Sequence, residues 1–204
     1  MGCGTGGLLQ TLSAWSQAYG LDISREAVGY CRERGLATVA QGSLNALPFA
    51  DDTFDGVIGV DVLEHLDDDE GALREILRIC RPGGRLVVTV PAFQFLWSRR
   101  DVQLHHRRRY TRPQFAARVA EAGFQVLKAT YVNLPLFLPL LAMVKTGRLA
   151  KGGPNLKLDY ALVPGAINRV LSWVVRMEAR LLARASLPLG TSIACVAVKP
   201  GAGQ

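Results

Sequence analysis

The chain has 204 residues, of which 49% are hydrophobic and 20% are charged, and its formal net charge is +7. This composition is typical of a globular protein with one domain and an insertion, and it excludes a disordered or fibrous chain. The longest nearly unbroken apolar run, residues 134–144, contains two prolines and is shorter than the ~20 residues that a membrane-spanning helix needs.

The amino terminus and the cysteines indicate the compartment. No basic segment followed by an apolar run opens the chain, so no secretory signal is recognised. Cys3, Cys31, Cys80 and Cys195 lie far apart and match neither a disulfide framework nor paired zinc-ligand spacing. We expect a cytoplasmic protein and leave peripheral contact with the inner face of an anionic membrane open.

Charge is distributed unevenly along the chain. Residues 1–80 contain 13 acidic and five basic residues, whereas residues 81–204 contain four acidic and 19 basic residues. A basic half suits nucleic acid, an anionic membrane surface or a phosphorylated substrate, or it simply solvates helix faces. Because the basic residues lie beside Leu, Pro and Phe and no nucleic-acid module is recognised, we expect an anionic amphiphile and no nucleic acid.

The first 90 residues alternate between helical and strand-like patterns. The predicted helices cover residues 7–17, 24–35 and 67–80. One predicted strand ends at residue 23, and three more cover residues 37–40, 54–60 and 85–90. A turn at residues 81–84 precedes the last of them. This alternation predicts an α/β fold, a Rossmann-like and mostly parallel sheet with helices on both faces.

The pattern is looser beyond Pro91. A loop rich in Trp, Arg and His covers residues 92–112, and Thr111 with Gln114 predicts a capped helix that ends at Gly123. Further strands are predicted at residues 124–131 and 191–198, and the last one is expected to be antiparallel.

A long segment separates these two last strands. Residues 134–188 contain the apolar run, a Lys/Gly linker at residues 145–157 and an amphipathic helix at about 165–185. An insertion of this size usually carries function, so we expect a helical lid or a membrane-surface element. The core domain is then formed by residues 1–133 together with residues 189–204.

The loop Gly-Cys-Gly-Thr-Gly-Gly at residues 2–7 is the strongest local motif. Glycines at alternate positions let the backbone lie against a bound cofactor, and the helix that follows offers free N–H groups. Gly2, Gly4 and Gly7 also satisfy the dinucleotide fingerprint, and Asp22 suits the ribose hydroxyls of either type of cofactor. The loop alone does not choose between cofactors.

A series of motifs in a fixed order distinguishes between the two types of cofactor. The motifs are the glycine loop, Leu21-Asp22-Ile23-Ser24, Gly42-Ser43, Leu47-Pro48-Phe49, Phe54-Asp55, Asp61 to Leu66 and Arg81-Pro82-Gly83-Gly84. The series resembles the class I S-adenosylmethionine-dependent methyltransferases, most of all their bacterial small-molecule branch, over residues 1–125 and the last strand. The alternatives are a nicotinamide-dependent oxidoreductase and an inactive adaptor for a membrane or a partner.

The resemblance implies S-adenosylmethionine as cofactor and S-adenosylhomocysteine as product. The implied cofactor site consists of Gly2, Cys3, Gly4, Thr5, Gly6, Asp22, Ile23, Ser43, Leu44, Asp61 and Val62. The glycine loop would pack against the amino-acid end of the cofactor, Asp22 would hold the ribose hydroxyls and Ile23 would lie against the adenine. Leu44 would meet the adenine edge through its backbone, and residues 61–62 would close the site. Ser43 stands where the family usually has Asp, which predicts weaker cofactor binding.

The start of the chain departs from the family. In the family an apolar strand precedes the glycine loop and lies in the middle of the sheet, whereas this chain begins at the loop. Without that strand its neighbours would leave backbone groups unpaired. We therefore expect Met1 to be an internal or mis-assigned start of a longer protein, and the 204-residue form to be poorly stable or inactive.

Three residues are candidate catalytic groups. Methyl transfer is an in-line displacement, so a base is needed only if the acceptor must lose a proton. His65 follows the strand at residues 54–60 and suits that role, or else it orders its loop by hydrogen bonding. His106 and Tyr110 lie in the loop after the next strand, where an open α/β sheet places its substrate loops. The expected acceptor is a small or lipid-like, anionic molecule, methylated at oxygen.

Residues 97–110 of this loop contain five arginines and the aromatic side chains of Trp97 and Tyr110. Trp97 and Tyr110 would stack on a ring or cover an apolar tail, and the arginines would bind a phosphate or carboxylate or would simply be solvated. The adjacent residues His105 and His106 diverge in direction, and no Cys or acidic cluster completes a site, so no metal is expected.

Overall fold

The computed structural model describes residues 1–146 and 165–201, without the side chains of residues 166 and 167. The strands are β1 (Gly20–Asp22), β2 (Val39–Gln41), β3 (Phe54–Val60), β4 (Cys80–Pro91), β5 (Gln125–Val132) and β6 (Ser192–Val198). The helices are α1 (Gly7–Ser13), α2 (Arg25–Glu33), α3 (Asp69–Ile79), α4 (Arg99–Gln103), α5 (Arg112–Glu121), α6 (Leu134–Lys145) and α7 (Gly165–Leu182). Short 3-10 helices cover Leu63–His65 and Gln94–Leu96.

The strands form a Rossmann-like arrangement in two parts. Strands β1 and β2 are a parallel pair, and β3, β4, β6 and β5 form a second sheet in that order. Within this sheet β3 and β4 are parallel, whereas β6 runs antiparallel to both of its neighbours. The α/β fold with an antiparallel last strand is therefore confirmed.

The first residues of the chain join the two parts. The Met1 amino group donates a hydrogen bond to the Ile58 carbonyl of β3 at 2.7 Å, and the Cys3 N–H donates to the Leu21 carbonyl of β1 at 3.0 Å. The glycine loop thus begins at the carboxyl ends of β1 and β3. In parallel α/β sheets this edge is where ligands bind.

The segment Arg81 to Gly84 lies within β4 and does not precede it. Cys80 pairs with Phe54 and Arg85 pairs with Gly56, with a shift in register between them. The Gly83 N–H also donates to the Lys199 carbonyl. The prediction that this strand begins only at residue 85 was therefore wrong, because β4 begins at Cys80. Residues 81–84 nevertheless form a turn-like irregularity inside the strand, where Gly83 has a φ of +80°.

The region after β4 is more ordered than the predicted loop at residues 92–112. Ser98 and Asp101 form a capping box at the start of α4, so this short helix carries a sequence signal that the prediction missed. The predicted cap of α5 by Thr111 and Gln114 is present.

Helices α6 and α7 lie between two strands that are neighbours in the sheet. Glu178 of α7 accepts hydrogen bonds from the N–H groups of Asn133 and Leu134, which stabilises the start of α6. Lys128 of β5 donates to the carbonyls of Leu182 and Ala185 at the end of α7. The insertion is thereby fixed to the core domain, and most of its predicted linker lies outside the described residues.

Two apolar clusters stabilise the domain. The larger one packs α3 and α5 on the second sheet, with Leu73, Ile76, Phe115 and Ile193 fully buried. Each such side chain contributes ~1.5–3 kcal/mol relative to its exposed state. The smaller cluster of Leu9, Val28, Cys31 and Val39 supports the glycine loop. None of the helices in the described ranges has the length and apolarity needed to cross a bilayer.

Candidate functional site

The glycine loop uses backbone conformations that side chains disfavour. Gly2, Gly4 and Gly6 have φ values of +60°, +52° and +86°. A Cβ atom at Gly2 would lie 2.8 Å from the Val62 side chain, whereas one at Gly4 would meet nothing within 4 Å. The loop is therefore close-packed beneath Gly2 and open beside Gly4.

Asp22 fixes this loop to the end of β1. Its Oδ2 accepts a hydrogen bond from the Gly4 N–H at 2.8 Å, and its Oδ1 accepts one from the Ser24 N–H at 2.9 Å. Ser24 in turn caps α2 by accepting from the Ala27 N–H. A carboxylate has about four acceptor sites, so Asp22 retains capacity for two hydroxyl groups.

The predicted adenine contacts lie next in the chain. The Ile23 side chain is 69% exposed beside Asp22, although it is a large apolar group. Leu44 is buried, and the Ser43 hydroxyl accepts from the Asn45 N–H at 3.2 Å. Ile23 therefore offers an uncovered apolar surface next to the carboxylate.

Asp61 and Val62 follow β3 directly. Asp61 has a φ of +48°, which is uncommon for a residue other than glycine. Its N–H donates to the Thr89 carbonyl, and its Oδ1 accepts from the Thr89 hydroxyl at 2.9 Å. Strained residues that their surroundings hold in place are frequent at functional sites.

Beyond Val62, three ionisable side chains meet, and we call them the histidine cluster: Glu64, His65 and His106. The two imidazole rings pack edge to face with centroids 4.8 Å apart, and the His106 Nε2 lies 3.9 Å from the Glu64 Oε1. Glu64 is fully buried, and neither carboxylate oxygen has a hydrogen-bond partner among the described residues. Burial raises the pKa of Glu64 to about 8, and burial together with His106 lowers the pKa of His65.

A buried carboxylate orients His106. The His106 Nδ1 lies 2.9 Å from the Asp101 Oδ1, and Arg109 donates to both Asp101 oxygens at 2.7 and 3.1 Å. Asp101 also accepts from the N–H and hydroxyl of Ser98. Although burial opposes ionisation, the Arg109 guanidinium holds the pKa of Asp101 below its usual value.

The other polar residues of this loop have internal partners. The Tyr110 hydroxyl is buried and donates to the Asp69 Oδ2 at 2.7 Å, and burial raises the pKa of that hydroxyl. Arg108 pairs with Asp69 at 3.1 Å, as Arg109 does with Asp101. The expectation that these arginines bind an external anion is corrected: they neutralise the protein's own carboxylates. Tyr110 lies in the core, so we do not include it in the site.

Sequence reasoning missed an aromatic cluster at the carboxyl end of β4. Phe93 stacks on Tyr131 with centroids 4.7 Å apart and on Phe95 at 5.0 Å, and Phe137 of α6 packs edge-on at 5.8 Å. Phe93 has a φ of +59°. These side chains are scattered along the chain, so no sequence spacing could have grouped them.

Comparison with known proteins finds methyltransferases among similar sequences. Residues 1–88 match the family profile described as a methyltransferase domain. The chain is 28% identical over 170 residues to 24-methylenesterol C-methyltransferase 2 of Oryza sativa, covering 74% of this chain and 47% of that protein. It is 45% identical over 75 residues to demethylmenaquinone methyltransferase of Mycobacterium marinum, covering 37% and 31% respectively. A fatty-acid O-methyltransferase of Mycolicibacterium smegmatis is 30% identical over 141 residues, covering 65% and 45%.

Solved structures share the fold. An S-adenosylmethionine-dependent methyltransferase of Archaeoglobus fulgidus superposes with a TM-score of 0.62 at 18% identity, covering 97% of this chain and 83% of that one. Phosphoethanolamine N-methyltransferase 2 of Haemonchus contortus, in complex with S-adenosyl-L-methionine, gives 0.62 at 19% identity, covering 98% and 47%.

The fold is that of the class I S-adenosylmethionine-dependent methyltransferases. The match of residues 1–88 to a methyltransferase-domain profile, and a structural neighbour in complex with S-adenosyl-L-methionine, agree with the resemblance seen in the sequence. The chain spans 31–47% of the length of the three curated relatives.

Proposed function

We propose that this chain is an S-adenosylmethionine-dependent methyltransferase that methylates an oxygen atom of a small or lipid-like acceptor. The observation that carries the proposal is the hydrogen bond from the Gly4 N–H to the Asp22 carboxylate. It holds a loop of left-handed glycines at the carboxyl edge of the strands, within the segment that matches the methyltransferase domain.

The residues at this edge fit S-adenosylmethionine. The space beside Gly4 is open, Asp22 has acceptor capacity left for a diol, and Ile23 offers an exposed apolar surface. Residues 2–6 would hold the amino-acid end, and Leu44 and Ser43 would face the adenine. The bound cofactor supplies a methyl group activated by a positively charged sulfur.

Acceptor recognition is proposed for the elements that follow β4. The aromatic cluster, with Phe95 56% exposed, provides an apolar surface for a ring or an acyl chain. The histidine cluster lies after β3, at the same edge of the sheet, and is where an acceptor hydroxyl would lose its proton. We assign residues 134–188 as the element that covers the acceptor, since α6 contributes Phe137 to the aromatic cluster.

The same insertion is proposed to contact an anionic membrane. Val170, Trp173 and Leu181 of α7 are 61%, 59% and 50% exposed, and the helix also carries Arg176 and Arg180. Exposed apolar side chains flanked by arginines are typical of helices that lie in the bilayer interface. A lipid-like acceptor would then reach the site from that surface.

Equilibrium binding tests the central proposal. Calorimetric titration should show binding of S-adenosylhomocysteine and none of NAD. Asp22→Ala should weaken that binding by ~1.5–3 kcal/mol, the scale of hydrogen bonds to a charged group. Asp55→Ala is the matched control, because Asp55 lies at the opposite end of β3 and should leave affinity unchanged. Binding of NAD in place of S-adenosylhomocysteine would refute the proposal.

A further inference from the structure

The histidine cluster has an unusual electrostatic arrangement. Glu64 is a carboxylate with no exposed surface, and neither of its oxygens accepts a hydrogen bond from the described residues. A buried charge without a partner costs several kcal/mol, so such groups are normally paired, neutralised or bound to a metal. The neighbours of Glu64 are two imidazoles, and both are side chains that ligate metals.

The distances suit one shared ion. One ligand atom from each of the three side chains lies within 4.8 Å of the others, and the Glu64 Oε1 to His106 Nε2 distance is 3.9 Å. Ligands at 2.0–2.2 Å from a tetrahedral zinc ion lie ~3.4 Å apart. Small side-chain rotations therefore bring all three atoms into coordination.

His106 already has a carboxylate partner on the ring nitrogen that faces away from Glu64, as metal-bound histidines usually do. A ligating imidazole usually donates its second N–H to a carboxylate, which fixes the ring and the tautomer. Here the Asp101 Oδ1 lies 2.9 Å from Nδ1; when Nδ1 of the neutral ring donates to this carboxylate, Nε2 carries the lone pair on the side of Glu64. Arg109 and Ser98 hold Asp101 in place, so this orientation is built in.

The ligand set selects the type of ion. Magnesium and calcium prefer oxygen ligands, whereas two imidazoles and one carboxylate are typical of zinc and non-haem iron. We infer that Glu64, His65 and His106 bind a divalent transition-metal ion, with zinc as the ion tested, and that Asp101 is the positioning residue for His106. Three protein ligands leave a coordination position for water or for an acceptor oxygen.

This inference concerns the cluster that the proposed function uses, but zinc binding needs neither cofactor nor acceptor, so the two proposals fail separately. The 204-residue chain, freed of metal by dialysis against a chelator, should bind one equivalent of Zn²⁺ in a competition titration with a chromophoric chelator. Zinc should also raise its melting temperature, since it binds only the folded state.

Glu64→Gln and His106→Gln should each weaken zinc affinity by at least the ~10- to 100-fold that loss of an outer-shell partner costs. Glu64→Gln keeps the shape of a side chain whose oxygens have no hydrogen-bond partner among the described residues, so its melting temperature without zinc should not fall. His105→Asn is the control: His105 is exposed, and asparagine tolerates its φ of +58°. This variant should bind zinc like the wild type.

Cobalt substitution distinguishes this site from the cysteines. Co²⁺ bound by the histidine cluster should show d–d absorption without a sulfur-to-cobalt charge-transfer band. The inference is overturned if the wild type binds no zinc, if Glu64→Gln and His106→Gln bind it as tightly as the wild type, or if cobalt shows thiolate ligation. Displacement of zinc by equimolar Mg²⁺ would equally overturn it.

Discussion

The Tyr110 hydroxyl donates a hydrogen bond to the buried Asp69 Oδ2 at 2.7 Å and so connects the loop after β4 to the first turn of α3. Arg108 and Arg118 donate to the other oxygen of the same carboxylate. Asp69 is therefore one of the residues that attach this loop to the core.

Replacing Tyr110 should consequently affect stability and not cofactor binding. Tyr110→Phe should lower the free energy of unfolding by ~1.5–3 kcal/mol, because a hydrogen bond to a charged group is lost. Urea unfolding measures this change, and Tyr19→Phe on an exposed ring should stay within ~0.5 kcal/mol of the wild type. A Tyr110→Phe protein with unchanged stability and weaker binding of S-adenosylhomocysteine would place Tyr110 in the site after all.

The ion pair between Glu75 and Arg78 should make the free energy of unfolding depend on pH in the acidic range. Arg78 donates to both Glu75 oxygens at 2.9 and 2.8 Å, and the Leu47 N–H donates to one of them. These bonds lower the pKa of Glu75 from 4.5 to about 2. Because the folded pKa lies below the unfolded one, the stabilisation is complete above pH ~4.5 and is lost as pH falls toward 2.

The matched variant for this effect is Glu75→Gln, which keeps the side-chain shape. We expect lower stability than the wild type at pH 7 and a smaller further loss between pH 4.5 and 2.5, both measured by urea unfolding at each pH. Parallel stability curves for the two proteins over this pH interval would show that Glu75 does not carry the dependence.

Local signals explain which elements the sequence could predict. Strand β3 has the predicted bounds, and the caps at Ser24 and Thr111 are present, because each depends on residues within one turn or one strand. The Pro-Gly-Gly segment misled the prediction of where β4 begins, because Cys80 already pairs with Phe54 before the irregular stretch and the Gly83 N–H donates to the Lys199 carbonyl. Propensity is a weak predictor where a sheet supplies partners on both sides.

The site was predictable in part for the same reason. The glycine loop and Asp22 have a fixed spacing, and the structure joins them directly. The histidine cluster joins residues 64 and 106, so only the fold brings them together. The pairing of Arg109 with Asp101, eight residues apart in the sequence, was not predicted either.

Ser43 should limit cofactor affinity. Its hydroxyl already accepts from the Asn45 N–H, and a carboxylate at this position can accept that bond and the adenine amino group together. Ser43→Asp should therefore tighten binding of S-adenosylhomocysteine about tenfold, which corresponds to ~1.4 kcal/mol. Titration calorimetry measures it, with Ser43→Ala as a control that gains no acceptor. An unchanged or weaker affinity in Ser43→Asp would show that this loop does not face the adenine.

The exposed face of α7 should bind anionic membranes. The wild type should sediment with vesicles that contain phosphatidylserine and not with neutral ones, and added salt should release it, because exposed charges are screened. Each arginine near a charged surface contributes ~1 kcal/mol, so Arg176→Glu with Arg180→Glu should reduce the bound fraction at least tenfold.

Trp173→Ser, which removes an exposed aromatic side chain, should weaken binding without changing its salt dependence. Arg25→Glu, a charge reversal at an exposed residue of α2, should bind like the wild type. If Arg25→Glu and the α7 double variant lose binding equally, net charge and not this helix is responsible, and the membrane assignment of the insertion fails.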